Sequence, residues 1–270
     1  MEALLAQPGP ITLTTVGVDW VSNLSGLLNL KHPVAVAAGL KNRKEPIKVY
    51  LYLVRHPERG LFLVDTGVSE RFAREPASVG VGWALRAAAN VAAMRPEPST
   101  AQVLSTAAEP LQGVFLTHLH FDHISGLPDI PVNVPLYTGP GEAGTSVTLN
   151  LLAQGTTNRL LRGRPPLQEL QIPSNPEGAL DGVLDVFDDG SFFAILNPGH
   201  TAGHLAFVIR STYGPILLTG DTSHLRWGWD NEVEPGSFLS NRDKARRSLL
   251  ALKALAGRHP NMQVRLGHQP

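Results

Sequence analysis

The chain has 270 residues, 43% hydrophobic and 17% charged, the composition of a folded globular protein with a sizeable core rather than a disordered segment. Lys plus Arg total 23 and Asp plus Glu total 23, so the formal net charge is zero and a nucleic-acid backbone is not the expected partner. There is no cysteine, which excludes disulfide staples, thiolate ligands and a cysteine nucleophile; any metal site must be built from His, Asp and Glu.

Residues 1–10 carry no basic segment and no apolar run, so no signal peptide is expected there. The expected location is cytoplasmic, with an export signal already removed as the other reading. The longest apolar stretch, 24–40, is interrupted by Lys31, His32 and Pro33, which argues against a membrane span. Residues 11–21 alternate and carry Thr and Val, the pattern of a strand. Residues 49–55 form a second strand. After Gly60 the apolar run 61–64 reads as a buried strand that closes a hairpin. It ends in Asp65-Thr66-Gly67. Asp65 is either a turn cap or a support for a metal-bound histidine.

The Ala-rich stretch 81–94 predicts a helix stopped before Pro96, and 99–108 a second one between Pro98 and Pro110. These helices of 68–110 cover the sheet, form a lid or offer a partner surface. Residues 113–116 are again a short buried strand, and the chain leaves it through Thr117-His118-Leu119-His120-Phe121-Asp122-His123. In a chain with 10 His, an HxHxDH run by chance is an event on the order of one in a thousand. Residues two apart on an extended segment point the same way, so His118 and His120 can face one ion. Asp122 and His123 follow a bend and can face a second. Imidazole suits borderline metals such as zinc, and a carboxylate adds anionic charge.

Residues 134–137 read as a strand. Residues 139–182 are irregular, with a helical patch over 146–153, and are the place for loops that shape a pocket. Residues 183–187 and 192–196 read as a hairpin around Asp188-Asp189-Gly190. The segment Asn197-Pro198-Gly199-His200-Thr201-Ala202-Gly203-His204 leads into a strand over 205–210, and the strand over 216–219 ends at Gly220-Asp221. A basic, Leu-rich amphipathic helix covers 241–257, and the chain closes on a strand end carrying His268. His200, Asp221 and His268 each follow an apolar run and lie beside a glycine, the arrangement by which a sheet delivers distant residues to one edge. His204 reads as a structural or supporting residue; His32, His56 and His259 read as solvated or loop residues. Trp227 and Trp229 are core or pocket rim, with their place after Asp221 favouring the rim. The strand–helix alternation predicts one α/β domain over 1–270 with mixed sheets.

Taken together and in this order, Asp65, His118-x-His120-x-Asp122-His123, His200, Asp221 and His268 resemble the metallo-β-lactamase-fold hydrolase superfamily. The resemblance implies an αββα sandwich of two mixed β-sheets flanked by helices, with a dinuclear metal site at one edge. It implies that His118, His120 and His200 hold one divalent ion, that Asp122, His123 and His268 hold the other, and that Asp221 bridges them. Zinc is the expected metal, with manganese, cobalt or iron as alternatives. The absence of cysteine together with Asp221 disfavours a true β-lactamase, and His120 stands where flavodiiron relatives carry glutamate. Only two residues follow His268, where glyoxalase II enzymes carry a helical domain. Residues 198–204, the length and the helical insertion look most like the quorum-quenching N-acyl-homoserine lactonases. Those enzymes commonly carry a tyrosine three residues after the bridging aspartate; here His224 stands there, which widens the expected substrates to other lactones, esters or phosphotriesters. The implied chemistry is hydrolysis by water acidified between two ions, with Asp122 or His224 delivering the proton. A phosphotriesterase or arylesterase on the same site, and a non-catalytic metal-binding protein, are the alternatives. The expected partner is a small-molecule ester, lactone or phosphotriester. No nucleic acid and no membrane are expected, and a homodimer is allowed for. No Gly-x-Ser-x-Gly elbow is present, which disfavours a covalent serine hydrolase.

Overall fold

In the computed structural model, which describes residues 1–144, 151–175 and 178–270, two mixed sheets lie face to face. The first runs β1 (Thr12–Asn23), β2 (Lys44–His56), β3 (Gly60–Val64), β4 (Leu111–Phe115), β5 (Leu136–Thr138), β6 (Gln168–Glu169) in that spatial order. It is antiparallel through β3 and parallel from β3 to β6. The second sheet has the order β11 (Gln263–Arg265), β10 (Gly214–Leu218), β9 (Leu205–Ser211), β8 (Phe192–Leu196), β7 (Val183–Asp185), antiparallel except between β10 and β11.

The continuous apolar runs follow from burial on both faces of each strand. In β3, Phe62 and Val64 point between the sheets while Leu61 and Leu63 point to the outer face. In β8, Phe192 and Ala194 point inward while Phe193 and Ile195 face outward. An aromatic layer fills the space between the sheets: Phe115 meets Phe192 with ring centroids 5.0 Å apart, and Phe192 stacks on Phe207 at 5.2 Å. At roughly 25 cal/mol per Å2 of apolar surface, such rings are the largest single contributors to joining the sheets.

Helices cover both outer faces. On the second sheet lies the helix Arg242–Arg258, whose Ala245, Leu249, Leu252 and Leu255 share one face and are buried. Asn241 caps it by accepting the Lys244 N–H at 2.9 Å. On the first sheet, the helices Glu70–Arg74, Trp83–Ala88 and Thr100–Ala107 bury Phe72, Leu85 and Val103. Of the three roles open for 68–110, covering the sheet is the one these contacts display.

Two expectations need correction. The helix expected over 81–94 is broken: an α-helix spans Trp83–Ala88 and a 3-10 turn spans Val91–Ala93. Asn90 between them is left-handed, at φ 52°, a conformation Asn tolerates better than most residues. The indole N–H of Trp20 on β1 donates to the carbonyls of Ala89 and Asn90 at 3.1 and 3.3 Å, which holds the break in place. The helical patch expected over 146–153 lies outside the described residues up to 150; a helix spans Leu151–Leu160.

Candidate metal centre

Five strands end at the same edge of the sandwich, and each hands a polar residue to it. Asp65 follows β3, His118 to His123 follow β4, His200 follows β8, Asp221 follows β10 and His268 follows β11. The two sheets are stitched there by the Leu205 N–H, which donates to Thr117 C=O at 2.8 Å. Asp65 itself is left-handed, at φ 54°, so the chain turns sharply off β3. The turn then grips the histidine loop: Thr66 N–H and Oγ1 both donate to His123 C=O, at 3.1 and 2.8 Å.

The side chains gather into two four-donor groups, His118, His120, His200, Asp221 and Asp122, His123, His268, Asp221, with the donor atoms of each group within 4.8 Å of one another. In the first, His200 Nε2 lies 3.1 Å from His118 Nε2 and 2.8 Å from His120 Nδ1, and Asp221 Oδ2 lies 3.3 Å from His200 Nε2 and 3.7 Å from His118 Nε2. In the second, His123 Nε2 is 3.3 Å from Asp221 Oδ2, and His268 Nε2 is 3.4 Å from Asp122 Oδ2 and 3.5 Å from Asp221 Oδ1. Donors about 2.0–2.1 Å from a tetrahedral zinc stand roughly 3.3 Å apart, and the spacings seen here bracket that edge.

The electrostatics fit the same chemistry. Burial, reinforced by neighbouring imidazoles, holds His118 and His200 well below the usual histidine range, so they present lone pairs. His120 is lowered by burial as well. Burial works against charge on Asp221 too, yet His224, His123 and His268 around it hold its carboxyl well below the usual range. Burial opposes the protonation of His123, but Asp221, Asp65 and Asp122 outweigh it and raise the imidazole. His123 Nε2 and Asp221 Oδ1 are buried and have no hydrogen-bond partner among the described residues. Two unsatisfied donor atoms in a buried carboxylate–imidazole cluster are costly unless a cation meets them. The residues present therefore fit a pair of divalent cations.

A layer of further groups aims these donors. Asp65 Oδ2 accepts from His123 Nδ1 at 2.8 Å, and its Oδ1 accepts the Thr117 N–H at 2.8 Å. Of the two readings of Asp65, the supporting one matches these contacts. His268 Nδ1 donates to Lys48 C=O at 2.7 Å and His224 Nδ1 to Leu27 C=O at 2.8 Å, each leaving Nε2 turned inward. His204 is fully buried and pushed down to about 3 by burial. Its Nε2 accepts the Asp221 N–H at 2.9 Å and fixes the backbone of the shared carboxylate. Gly220 is left-handed, at φ 50°, and a Cβ there would stand 2.7 Å from His204 Nε2, so this turn requires glycine.

His224 Nε2 lies 3.0 Å from Asp221 Oδ2, inside the cluster rather than at an outer rim. Trp229 belongs to the core under the helix Arg242–Arg258, and Trp227 is half-buried against the core of the first sheet, so the rim is not where Trp229 sits. His56, expected to be solvated, is buried: Nε2 meets Asp189 Oδ2 at 2.7 Å, and Nδ1 accepts the N–H groups of Glu58 and Arg59 at 3.1 Å. His32 caps the helix Pro33–Ala37, and His259 meets Glu2 at 3.0 Å. One buried acid near the cluster, Glu142, has no counterpart among the expected residues. Its contacts are to backbone N–H groups, which leave no signature in residue type or spacing.

The sequence model described as Metallo-beta-lactamase superfamily matches residues 45–268. The N-acyl homoserine lactonase AttM of Azorhizobium caulinodans is 29% identical over 232 residues, covering 83% of this chain and 82% of that protein. The N-acyl homoserine lactonase AttM of Agrobacterium fabrum is 31% identical over 158 residues, covering 58% of this chain and 57% of that one. The crystal structure of a quorum-quenching N-acyl homoserine lactone lactonase shares the fold, with a TM-score of 0.69, 20% identity, and coverage of 97% of this chain and 94% of that one. A 1.4 Å structure of an N-acyl homoserine lactone hydrolase with the product N-hexanoyl-L-homoserine bound at its catalytic metal centre gives a TM-score of 0.68, with 19% identity and coverage of 97% and 94%.

Proposed function

We propose that this chain, which belongs to the metallo-beta-lactamase superfamily, is a dinuclear-metal-dependent hydrolase that opens lactones or related esters. The observation that carries the proposal is that one carboxylate, Asp221, belongs to both four-donor groups. A carboxylate shared between a set of three imidazoles and a set of two imidazoles and a carboxylate suits a pair of metals better than a single structural ion. The similarity to N-acyl homoserine lactonases over most of the chain supports a lactone as the substrate class.

In this reading His118, His120 and His200 hold the first ion, Asp122, His123 and His268 the second, and Asp221 both. Zinc is the metal we assign, since imidazole and carboxylate donors at this spacing suit it; manganese, cobalt and iron accept the same donors. Two divalent ions there would acidify water and polarise the acyl oxygen, the chemistry that hydrolysis needs near neutral pH. Asp65 holds His123 with Nε2 turned inward, and His204 holds the Asp221 backbone. Asp122 is buried, but the half-buried His120 and Phe121 beside it open this flank, and we assign the substrate's approach to it. When water adds to the lactone carbonyl and the ring C–O bond breaks, the leaving alkoxide needs a proton, which Asp122 carries across from the water. His224, held by Leu27, keeps its Nε2 against Asp221 and shares that proton load. We read 1–270 as one hydrolase unit in which the 68–110 helices are an insertion.

The test is a metal-loaded substrate panel: demetallated protein given two equivalents of zinc, cobalt or manganese, against acyl-homoserine and simple lactones, aryl esters, phosphotriesters and β-lactams. Lactone turnover that needs both equivalents is expected. Two bound metals with no turnover of any class would establish the non-catalytic alternative instead.

A further inference from the structure

Glu142 is 1% exposed and belongs to neither donor group. Its Oε1 accepts the Leu119 N–H at 3.0 Å and its Oε2 accepts the Gly203 N–H at 2.9 Å. Leu119 sits between His118 and His120, and Gly203 lies in the loop that starts at His200. One carboxylate therefore ties together two loops from different sheets, and those loops deliver all three imidazoles of the first group.

The surrounding contacts are specific to this clamp. A Cβ on Gly203 would stand 2.7 Å from Glu142 Cβ and 2.7 Å from Pro140 C=O, and one on Gly139 would stand 1.9 Å from Gly203 C=O. Only glycine at both positions lets the 139–142 turn press onto the His200 loop. That turn is closed by the Glu142 N–H, which donates to Gly139 C=O at 3.1 Å. The carbonyl of Leu119 in turn accepts from Thr157 Oγ1 at 3.2 Å, so the residue between the two imidazoles is held at both its amide groups. Burying a carboxylate costs several kcal/mol unless it is well bonded, and burial does push the Glu142 carboxyl up. A neutral amide of the same size could not replace it, because one of its two ends is a donor and both partners here are donors. Two charge-assisted bonds to two N–H groups need a carboxylate.

We propose that Glu142 is a positioning residue for the first metal group, setting the separation of the His118–His120 and His200 loops and so the geometry of their three nitrogens. The inference rests on the reading that this group holds an ion, and the test separates the two. Demetallated protein is titrated with cobalt(II), followed by calorimetry and visible absorption, in two backgrounds. In His268→Ala the tight site that remains is the first group; in His118→Ala it is the second. Adding Glu142→Gln is expected to weaken cobalt binding about 10- to 100-fold in the first background, the usual scale for losing a group that supports metal ligands. It is expected to leave binding unchanged in the second. Equal weakening in both backgrounds would mean general loosening of the fold and would overturn the proposal, as would no weakening in the first. Glu142→Asp, which keeps the charge but can reach only one N–H, is taken through the same pair of titrations, with the same outcomes, should the Gln protein not fold. Failure of the unsubstituted protein to take up two equivalents would overturn the two-metal reading itself, and this inference with it.

Discussion

Replacing Asp65 by Asn tests whether the turn after β3 sets the proton on His123. Asp65 accepts at both oxygens, from the Thr117 N–H at 2.8 Å and from His123 Nδ1 at 2.8 Å. Asparagine accepts at one end and donates at the other. The Thr117 N–H can only donate, so the amide oxygen must stay with it, and the NH2 group falls where Oδ2 was. In the neutral ring that metal binding requires, with Thr117 Oγ1, 3.2 Å from Nδ1, as the competing partner, His123 Nδ1 then accepts from that amide and the ring's remaining proton moves to Nε2. That nitrogen belongs to the second donor group and faces Asp221 Oδ2 at 3.3 Å. To bind an ion it has to be unprotonated. Restoring the binding tautomer would leave two buried donors facing each other, at about 1–3 kcal/mol. Losing the partner of a metal-bound histidine typically lowers metal affinity about 10- to 100-fold, or roughly 1.4–2.7 kcal/mol at 1.36 per decade. The two routes agree in size. Zinc titration of demetallated Asp65→Asn should therefore show one equivalent at its original affinity and one weakened by that factor. Nitrogen-15 spectra of the imidazoles should show the His123 proton on Nε2. Two equivalents bound at unchanged affinity would refute the reasoning, and so would equal weakening of both.

Gly220→Ala should destabilise the demetallated protein by about 1–2 kcal/mol through the left-handed backbone alone, with a further cost because its Cβ would meet His204 Nε2 at 2.7 Å; an unchanged denaturant midpoint would sink this account of the turn. His224→Phe should lower turnover while both metal equivalents stay bound, since His224 Nε2 reaches Asp221 Oδ2 and its Nδ1 is used on Leu27 C=O. Metal analysis of the purified variant decides it, and a missing equivalent would place His224 among the ligands.

The parts of this fold that are plain in the sequence are those whose cause is local. The runs 61–64 and 192–196 read as buried strands because both of their faces are covered, so every position had to be apolar. The helix Arg242–Arg258 announced itself through its leucine spacing, which puts Leu249, Leu252 and Leu255 on one buried face. The broken helix at Asn90 did not, because the group that holds the break is Trp20, seventy residues earlier. His56 looked like a loop histidine because the Asp189 that meets it is 133 residues away. In both cases a non-local contact overrode a correct local pattern.

The cluster at the strand ends divides the same way. That His118, His120, Asp122, His123, His200, Asp221 and His268 come together could be read from the sequence, because side chains able to ligate a metal are visible as residue types beside strand ends. Much of what aims them is backbone. His268 and His224 are oriented by the carbonyls of Lys48 and Leu27, and Asp221 is held through its own N–H. A carbonyl has the same chemistry whatever side chain it carries, so residues 27 and 48 leave no trace in the sequence. What the site requires of them is register. Lys48 both accepts from His268 Nδ1 and donates its N–H to His268 C=O at 3.0 Å, so β2 must arrive with residue 48 at that point and no other. The twelve paired positions between β1 and β2, from Thr12 with Arg55 to Asn23 with Lys44, fix that arrival. A one-residue slip would exchange the two faces of β2 and take the Lys48 carbonyl away from His268. The long first hairpin, which contributes no donor of its own, is thus as necessary to the second donor group as the histidine it orients.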